Sequence, residues 1–360
     1  LAFERDGYLH LHDLTTNETK QLSIFIQADF PWAETKWEDV TKNARAVSLS
    51  ATGKRAIMEA RGEIFTIPVE HGDARNMTLS SGAADHAPVW SPKGNEVAWF
   101  SDVDGKGYAL MIAAQDGITK PRSISIGESK MAWEPTWSPD GKHLAFADDD
   151  LRIRIVEMAT GTIKTVDVGG ANIERGDMGL TWSSDSKWLA YSKSGSNNFR
   201  QIIVWSAKDN STHSITNSFA DSHSPAWDRD GHHLYFLAST ELALASGWAN
   251  TSSMMADPNY AAYVINLRKD DLSPFKPRSD EEAPAEEKKP EPETKKPVDK
   301  KASTKKPGEE DKEVKPKEPE PVTIDFNGIE RRTIALPLPK ADYRLELSGP
   351  SGTVFIKKKK

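Results

Sequence analysis

Hydrophobic and polar positions in this chain of 360 residues follow a fast period laid over a slow one. The fast period is that of β-strands. Leu151-Arg152-Ile153-Arg154-Ile155-Val156 alternates, as a strand with two unlike faces should. Glu96-Val97-Ala98-Trp99-Phe100, His143-Leu144-Ala145-Phe146, Trp188-Leu189-Ala190-Tyr191 and His233-Leu234-Tyr235-Phe236 are runs rich in β-branched and aromatic residues, which suit strands buried on both faces. The slow period is set by Trp90, Trp137, Trp182 and Trp227, 47, 45 and 45 residues apart, with Leu49 another 41 residues upstream. A turn follows each anchor: Ser50-Ala51-Thr52-Gly53, Ser91-Pro92-Lys93-Gly94, Ser138-Pro139-Asp140-Gly141, Ser183-Ser184-Asp185-Ser186 and Asp228-Arg229-Asp230-Gly231. Pro pre-sets φ in such a turn and Gly supplies the positive φ that closes it. Ile163-Lys164-Thr165-Val166, after Ala159-Thr160-Gly161, reads as a fourth strand, so each unit predicts four strands. One small four-stranded sheet cannot bury both its faces alone, and a repeat of roughly 40–50 residues with this text is the pattern of a radial β array. The prediction is an all-β fold, a β-propeller of four-stranded blades, with Leu49, Trp90, Trp137, Trp182, Trp227 and Leu347 on successive inner strands of an open arc of six units. The recurring Trp reads as a wedge between adjacent blades in preference to a platform for a stacked ligand.

Two stretches interrupt the repeat. Residues 22–43, with Phe30-Pro31-Trp32, carry no turn-strand signature and read as a linker between two propellers. Residues 278–321 hold 12 basic and 14 acidic side chains, eight prolines and no aromatic. Such a tract has too little apolar surface to offset an ordering entropy of roughly 1–2 kcal/mol per residue, which predicts a disordered, solvated insertion. Tyr260 to Leu267 before it reads as the third strand of a blade and Arg332 to Pro337 after it as the fourth, so the insertion falls within one blade. Leu1-Ala2-Phe3 matches Leu144-Ala145-Phe146, and Tyr8 to Thr16 matches Leu151 to Thr160. Residues 1–21 therefore read as the end of a preceding propeller, 44–277 as blades of the next, 322–356 as its continuation and 357–360 as a Lys tail.

A net charge of −7 argues against nucleic acid or an anionic membrane as the main partner, since either would want a basic face. No uninterrupted apolar stretch approaches the roughly 18–20 residues of a membrane span. The absence of cysteine excludes disulfides and thiol chemistry in this chain. A cytoplasmic location is the expectation, and a periplasmic one stays open because the N-terminal segment holds no signal to judge.

Catalytic motifs are absent: no G-x-S-x-G, H-E-x-x-H, G-x-x-x-x-G-K-[ST] or G-x-G-x-x-G occurs. Ser303-Thr304-Lys305-Lys306 fits S-x-x-K inside the charged tract, where no base could be held beside it. Asp148-Asp149-Asp150 lacks the alternate ligands of a calcium loop and reads as a solvated turn. No cofactor or metal is expected. One polar set recurs: His86 and His223 lie four residues before their anchors and Glu134 three before Trp137. Inner strands line a propeller's channel, so these three are the candidate substrate-channel residues; loop-satisfying groups at a blade mouth are the plainer reading. As channel residues they should share one rim and titrate between about pH 5 and 7.

The W-S-P-D-G turns followed by L-A-F or W-L-A-Y resemble blades shared by TolB-like proteins, prolyl-oligopeptidase relatives and tricorn-type proteases. Ala60-Arg61-Gly62-Glu63-Ile64-Phe65-Thr66-Ile67-Pro68, Leu234-Tyr235-Phe236-Leu237-Ala238-Ser239-Thr240, Leu267-Arg268-Lys269-Asp270-Asp271-Leu272-Ser273-Pro274 and Ile324-Asp325-Phe326-Asn327-Gly328-Ile329 resemble the bacterial tricorn protease homologues over nearly the whole chain. Thr52, Lys93 and Ser184-Asp185-Ser186 depart from the usual turn. The resemblance implies a large, homo-oligomeric serine peptidase that degrades unfolded peptides or oligopeptides. A six-bladed propeller would precede a seven-bladed one, and the nucleophile and its His partner would lie beyond the latter, outside this chain. It also implies that the second propeller is a substrate channel or filter. A TolB-like protein-binding module, or the propeller of a prolyl-oligopeptidase relative, are the alternatives.

Overall fold

A computed structural model describes residues 1–360 except 6, 35, 37, 106, 128, 171–176, 242–258, 272–319, 349–352 and 359–360. Nearly all of the predicted charged insertion thus lies outside the described residues. The chain divides into two compact units, residues 1–42 and 43–360. The first holds a three-stranded antiparallel sheet of β1 (Ala2–Arg5), β2 (Tyr8–His12) and β3 (Thr19–Gln21).

The second unit is built of antiparallel sheets in chain order. Blade 1 contains β4 (Ala44–Leu49), β5 (Arg55–Ala60), β6 (Glu63–Pro68) and β7 (Arg75–Asn76); blade 2 contains β8 (His86–Trp90), β9 (Glu96–Ser101), β10 (Ala109–Ala114) and β11 (Arg122–Ser125). Blade 3 contains β12 (Ala132–Trp137), β13 (His143–Asp148), β14 (Arg152–Glu157) and β15 (Ile163–Val168); blade 4 contains β16 (Thr181–Trp182), β17 (Trp188–Ser194), β18 (Arg200–Ser206) and β19 (Thr212–Ser214). Blade 5 joins β20 (Asp221–Trp227), β21 (His233–Ser239) and β22 (Ala261–Asn266) to β23 (Thr333–Ala335). The pairing of Tyr263 with Ala335 and of Ile265 with Thr333 makes that blade whole across the long intervening segment. A two-stranded pair, β24 (Tyr343–Ser348) and β25 (Val354–Lys358), follows. Lys357 and Lys358 belong to this strand pair, so the expected Lys tail begins inside regular structure.

Each blade's second strand supplies both adjoining apolar layers. Val97 and Trp99 of β9 pack toward blade 1, with Ile57, Ile64 and Trp90, while Ala98 and Phe100 pack toward blade 3, with Trp137, Leu144 and Phe146. The next strand repeats this, with Leu144 and Phe146 on one side and Ala145 and Ala147 on the other, against Met178, Trp182 and Leu189. Further layers join blade 4 to blade 5 and blade 5 to the β24–β25 pair. Full burial of one such side chain is worth about 1.5–3 kcal/mol, which is why a blade is stable only between neighbours. This is a β-propeller of four-stranded blades, as the repeat predicts.

The anchors wedge these layers. Trp90, Trp137, Trp182 and Trp227 are each nearly buried against the preceding blade. The Trp182 indole N–H donates to the Thr136 carbonyl (3.2 Å) and that of Trp227 to Thr181 (3.1 Å), each acceptor being the residue before the previous anchor. Leu49, first of the series, is instead 65% exposed. The anchor turns keep one geometry despite their sequence departures. In each, the fourth residue after the anchor donates its N–H to the carbonyl of the first at 2.8–3.2 Å, from Gly53 through Gly231. Ser186 holds φ 61° where the others have Gly. Its hydroxyl reaches across to the Asp140 N–H of blade 3 at 3.0 Å, a bond no glycine could make.

Candidate functional site

The entrances of the inner strands share a device that does not depend on a fixed residue type. Three residues before each anchor the backbone turns left-handed: Ala46, Ala87, Glu134, Gly179 and Ser224 have φ of 46°, 52°, 52°, 66° and 53°. The ladder register shifts there, between Arg45 and Ser48, His86 and Val89, Trp133 and Thr136, and His223 and Ala226. These are β-bulges, which bend the strand and re-aim its side chains. Proline follows at Pro88, Pro135 and Pro225. The residue before a proline is pushed out of the right-handed helical region and proline cannot donate to a ladder, so X-Pro at this spot is the one sequence signal for the bulge.

His86 and His223 share a register one residue before the bulge, opposite Phe100 and Leu237. Both rings face a layer between sheets. His86 meets Tyr108 edge-on at 4.8 Å and Phe100 at 5.6 Å; His223 meets Tyr260 edge-on at 4.5 Å, and its Nδ1 lies 2.7 Å from Ser224 Oγ. In each ring Nε2 is buried without a hydrogen-bond partner. Burial lowers the pKa of His86, and burial with the Arg200 cation nearby lowers that of His223 to about 3. The expected titration between about pH 5 and 7 is therefore displaced to acid in both, because charging either ring would strand a cation in an apolar layer.

Glu134 sits one residue further on, at the bulge itself. Its carboxylate accepts the N–H of Met178 at Oε1 (2.6 Å) and those of Gly179 and Leu180 at Oε2 (2.7 and 3.1 Å), at the left-handed entrance of the next blade. Burial pushes its pKa up, against the three N–H donors that favour the ionised form. Gly179 is needed there, since a Cβ would meet Pro225 Cδ at 3.3 Å and Ser224 Cα at 3.6 Å. Glu59 plays a matching part that the sequence did not single out, accepting the Ala87 N–H at 3.0 Å from blade 1. His86, Glu134 and His223 thus occupy corresponding strand entrances of three separate blades and do not touch one another.

A pH effect on stability follows. A folded pKa of about 3 for His223 against an unfolded value near 6.5 means that the unfolded chain binds the extra proton. The stabilisation is present above pH 6.5 and is lost as pH falls toward 3, at up to about 1.4 kcal/mol per pH unit. Urea unfolding of His223→Gln should show a shallower fall across this window than the parent; identical slopes would refute the assignment.

Other polar clusters are structural. Asp148 is fully buried and pairs with Arg152 (2.8 Å) and Arg154 (3.6 Å), so only its neighbours form the expected solvated turn. Ligand atoms of Asp228, Asp230 and His233 lie within 4.8 Å of one another. Asp228 accepts the Tyr235 hydroxyl (2.9 Å) and Asp230 lies 2.9 Å from His233 Nδ1, so the set is held by its own hydrogen bonds. No helix among the described residues is long and apolar enough to cross a membrane.

Successive four-stranded blades, wedged by tryptophan and stitched at their strand entrances, define a β-propeller. The chain belongs to the family of the tricorn protease second beta propeller domain, whose model matches residues 44–359. It is 29% identical to Tricorn protease homolog 1 of Streptomyces coelicolor over 222 residues, 60% of this chain and 19% of that protein. It is 24% identical to the Tricorn protease of Thermoplasma volcanium over 297 residues, 77% of this chain and 27% of that one. The crystal structure of the tricorn protease superposes with a TM-score of 0.56 at 16% identity, covering 96% of this chain and 30% of the other. The chain thus spans about a fifth to a quarter of the length of these curated relatives.

Proposed function

We propose that these residues form the propeller region of a tricorn-type serine peptidase and act as a channel or filter for unfolded oligopeptides, with the catalytic residues in another part of a homo-oligomeric protein. The observation that carries this reading is the match of residues 44–359 to a propeller domain of that family. A propeller contributes selection and orientation to a remote reaction, and proximity effects of that kind need no catalytic group of its own. On this reading His86, Glu134 and His223 shape the strand entrances that meet the peptide: the histidines as neutral wedges, and Glu134 by fixing the next entrance.

The purified chain should bind unfolded oligopeptides and hydrolyse none. Treatment with a serine-directed fluorophosphonate probe should label no residue, and fluorescence polarisation with denatured, tagged peptides should show saturable binding. One specifically labelled serine, or the absence of peptide binding by a folded chain, would overturn the proposal.

A further inference from the structure

At the end of blades 1 and 2 that carries the anchor turns, a cavity of about 840 Å3 is lined by Lys54, Arg55, Glu70, His71, Lys93 and Gln115 among others. Its charge is lopsided. Three fixed cations face one carboxylate, and Glu70 lies 3.8 Å from His71. Among the described residues no acid pairs with Lys54, Arg55 or Lys93. Arg55 is half-buried, and all its acceptors are neutral: Nη2 donates to the Thr66 hydroxyl (2.8 Å), the Thr66 carbonyl (3.3 Å) and the Asp73 carbonyl (3.1 Å). Its Nε is enclosed without a partner, and its Nη1, which makes no hydrogen bond, is the N–H group left for a ligand. Arg75 stands close enough to destabilise the Arg55 cation further, while the nearby Asp116 is committed to the Ile118 and Thr119 N–H groups of its own turn. A partly desolvated guanidinium with a spare N–H and no counter-ion favours an oxyanion, and its planar fork suits a carboxylate.

We propose that this cavity binds an acidic side chain of the peptide, with Arg55 as the fixed contact and the exposed Lys54 and Lys93 drawing the anion in. The proposal rests on the reading of the chain as a peptide channel, and it gives that channel a preference for acidic peptides on this face. The attraction is electrostatic, so it should weaken with salt.

The test compares a tagged hexapeptide rich in Asp and Glu with its Asn/Gln counterpart by fluorescence polarisation at low salt, using the full chain. The acidic peptide should bind about tenfold tighter, a difference of about 1.4 kcal/mol. Lys54→Gln with Lys93→Gln, both on the surface, should abolish most of the difference while leaving the neutral peptide's affinity unchanged. Arg55→Lys should retain part of it and Arg55→Gln none; if the last variant does not fold, the lysine pair decides. Succinate and inorganic phosphate are titrated separately. Succinate binding that the lysine variants abolish, with no peptide of either kind bound, would sustain the carboxylate site and overturn the peptide-channel reading. Equal affinity for the two peptides, an acidic preference untouched by all three substitutions, or tighter binding of phosphate than of succinate would overturn the inference.

Discussion

Trp182→Ala is expected to destabilise the second unit by about 3–5 kcal/mol. The side chain is 7% exposed in the layer between blades 3 and 4, edge-on to Trp205 at 6.3 Å and stacked near His143 at 6.1 Å. Its removal would leave a cavity that two sheets, each pinned by its own ladders, cannot close by local collapse. The indole N–H also ties blade 4 to the Thr136 carbonyl of blade 3. That bond can be separated from the packing. Trp182→Phe should cost about 1 kcal/mol more than Trp137→Phe, because the Trp137 indole N–H is buried without a partner and its loss frees no acceptor. Urea unfolding of the three variants checks both statements. A neutral Trp182→Ala would mean that the recurring tryptophan is not the wedge that spaces the blades.

The legible part of the fold was the part fixed by local chemistry. Each anchor turn needs a positive φ at one position, so Gly53, Gly94, Gly141 and Gly231 announce it, and the strand runs between them follow from their apolar text. Even Ser186, the exception, preserves the turn because its hydroxyl gains a partner in blade 3. The cross-blade stitching was less legible. Nothing near Glu134 in sequence says that its acceptors' donors lie 44 to 46 residues on, and nothing near Glu59 says that it holds Ala87. The bulges were half legible, through Pro88, Pro135 and Pro225, but Ala46 and Gly179 reach the same left-handed backbone without a following proline. The histidines show the limit most clearly. Their spacing from the anchors is visible in the sequence, whereas the burial that lowers their pKa values is not, since Tyr108 and Tyr260, from other parts of the chain, pack edge-on against them and the Arg200 cation lies near His223. Arg55 was not legible as a site residue, since only the structure shows that its neighbours offer no acid.

Glu134→Ala should destabilise the second unit by about 3 kcal/mol or more, through the N–H groups of Met178, Gly179 and Leu180 that would lose their acceptor. An unsatisfied buried donor costs about 1–3 kcal/mol, and water entering the gap would recover part of it. A second substitution identifies the backbone's share. Glu134 holds φ 52°, a conformation that L side chains adopt at a cost of about 1–2 kcal/mol. Glycine adopts it freely. Both Glu134→Ala and Glu134→Gly lose the carboxylate, but only glycine relieves the bulge, so Glu134→Gly should be about 1 kcal/mol the milder of the two. That order reverses the usual penalty for glycine inside a strand. Amide hydrogen exchange should localise the damage, with Met178, Gly179 and Leu180 exchanging faster in both variants while the blade 1 to blade 2 layer stays protected. Were alanine the milder substitution, the bulge would not hold a left-handed residue in solution; unchanged protection at residues 178–180 would show that Glu134 does not carry the stitch between blades 3 and 4.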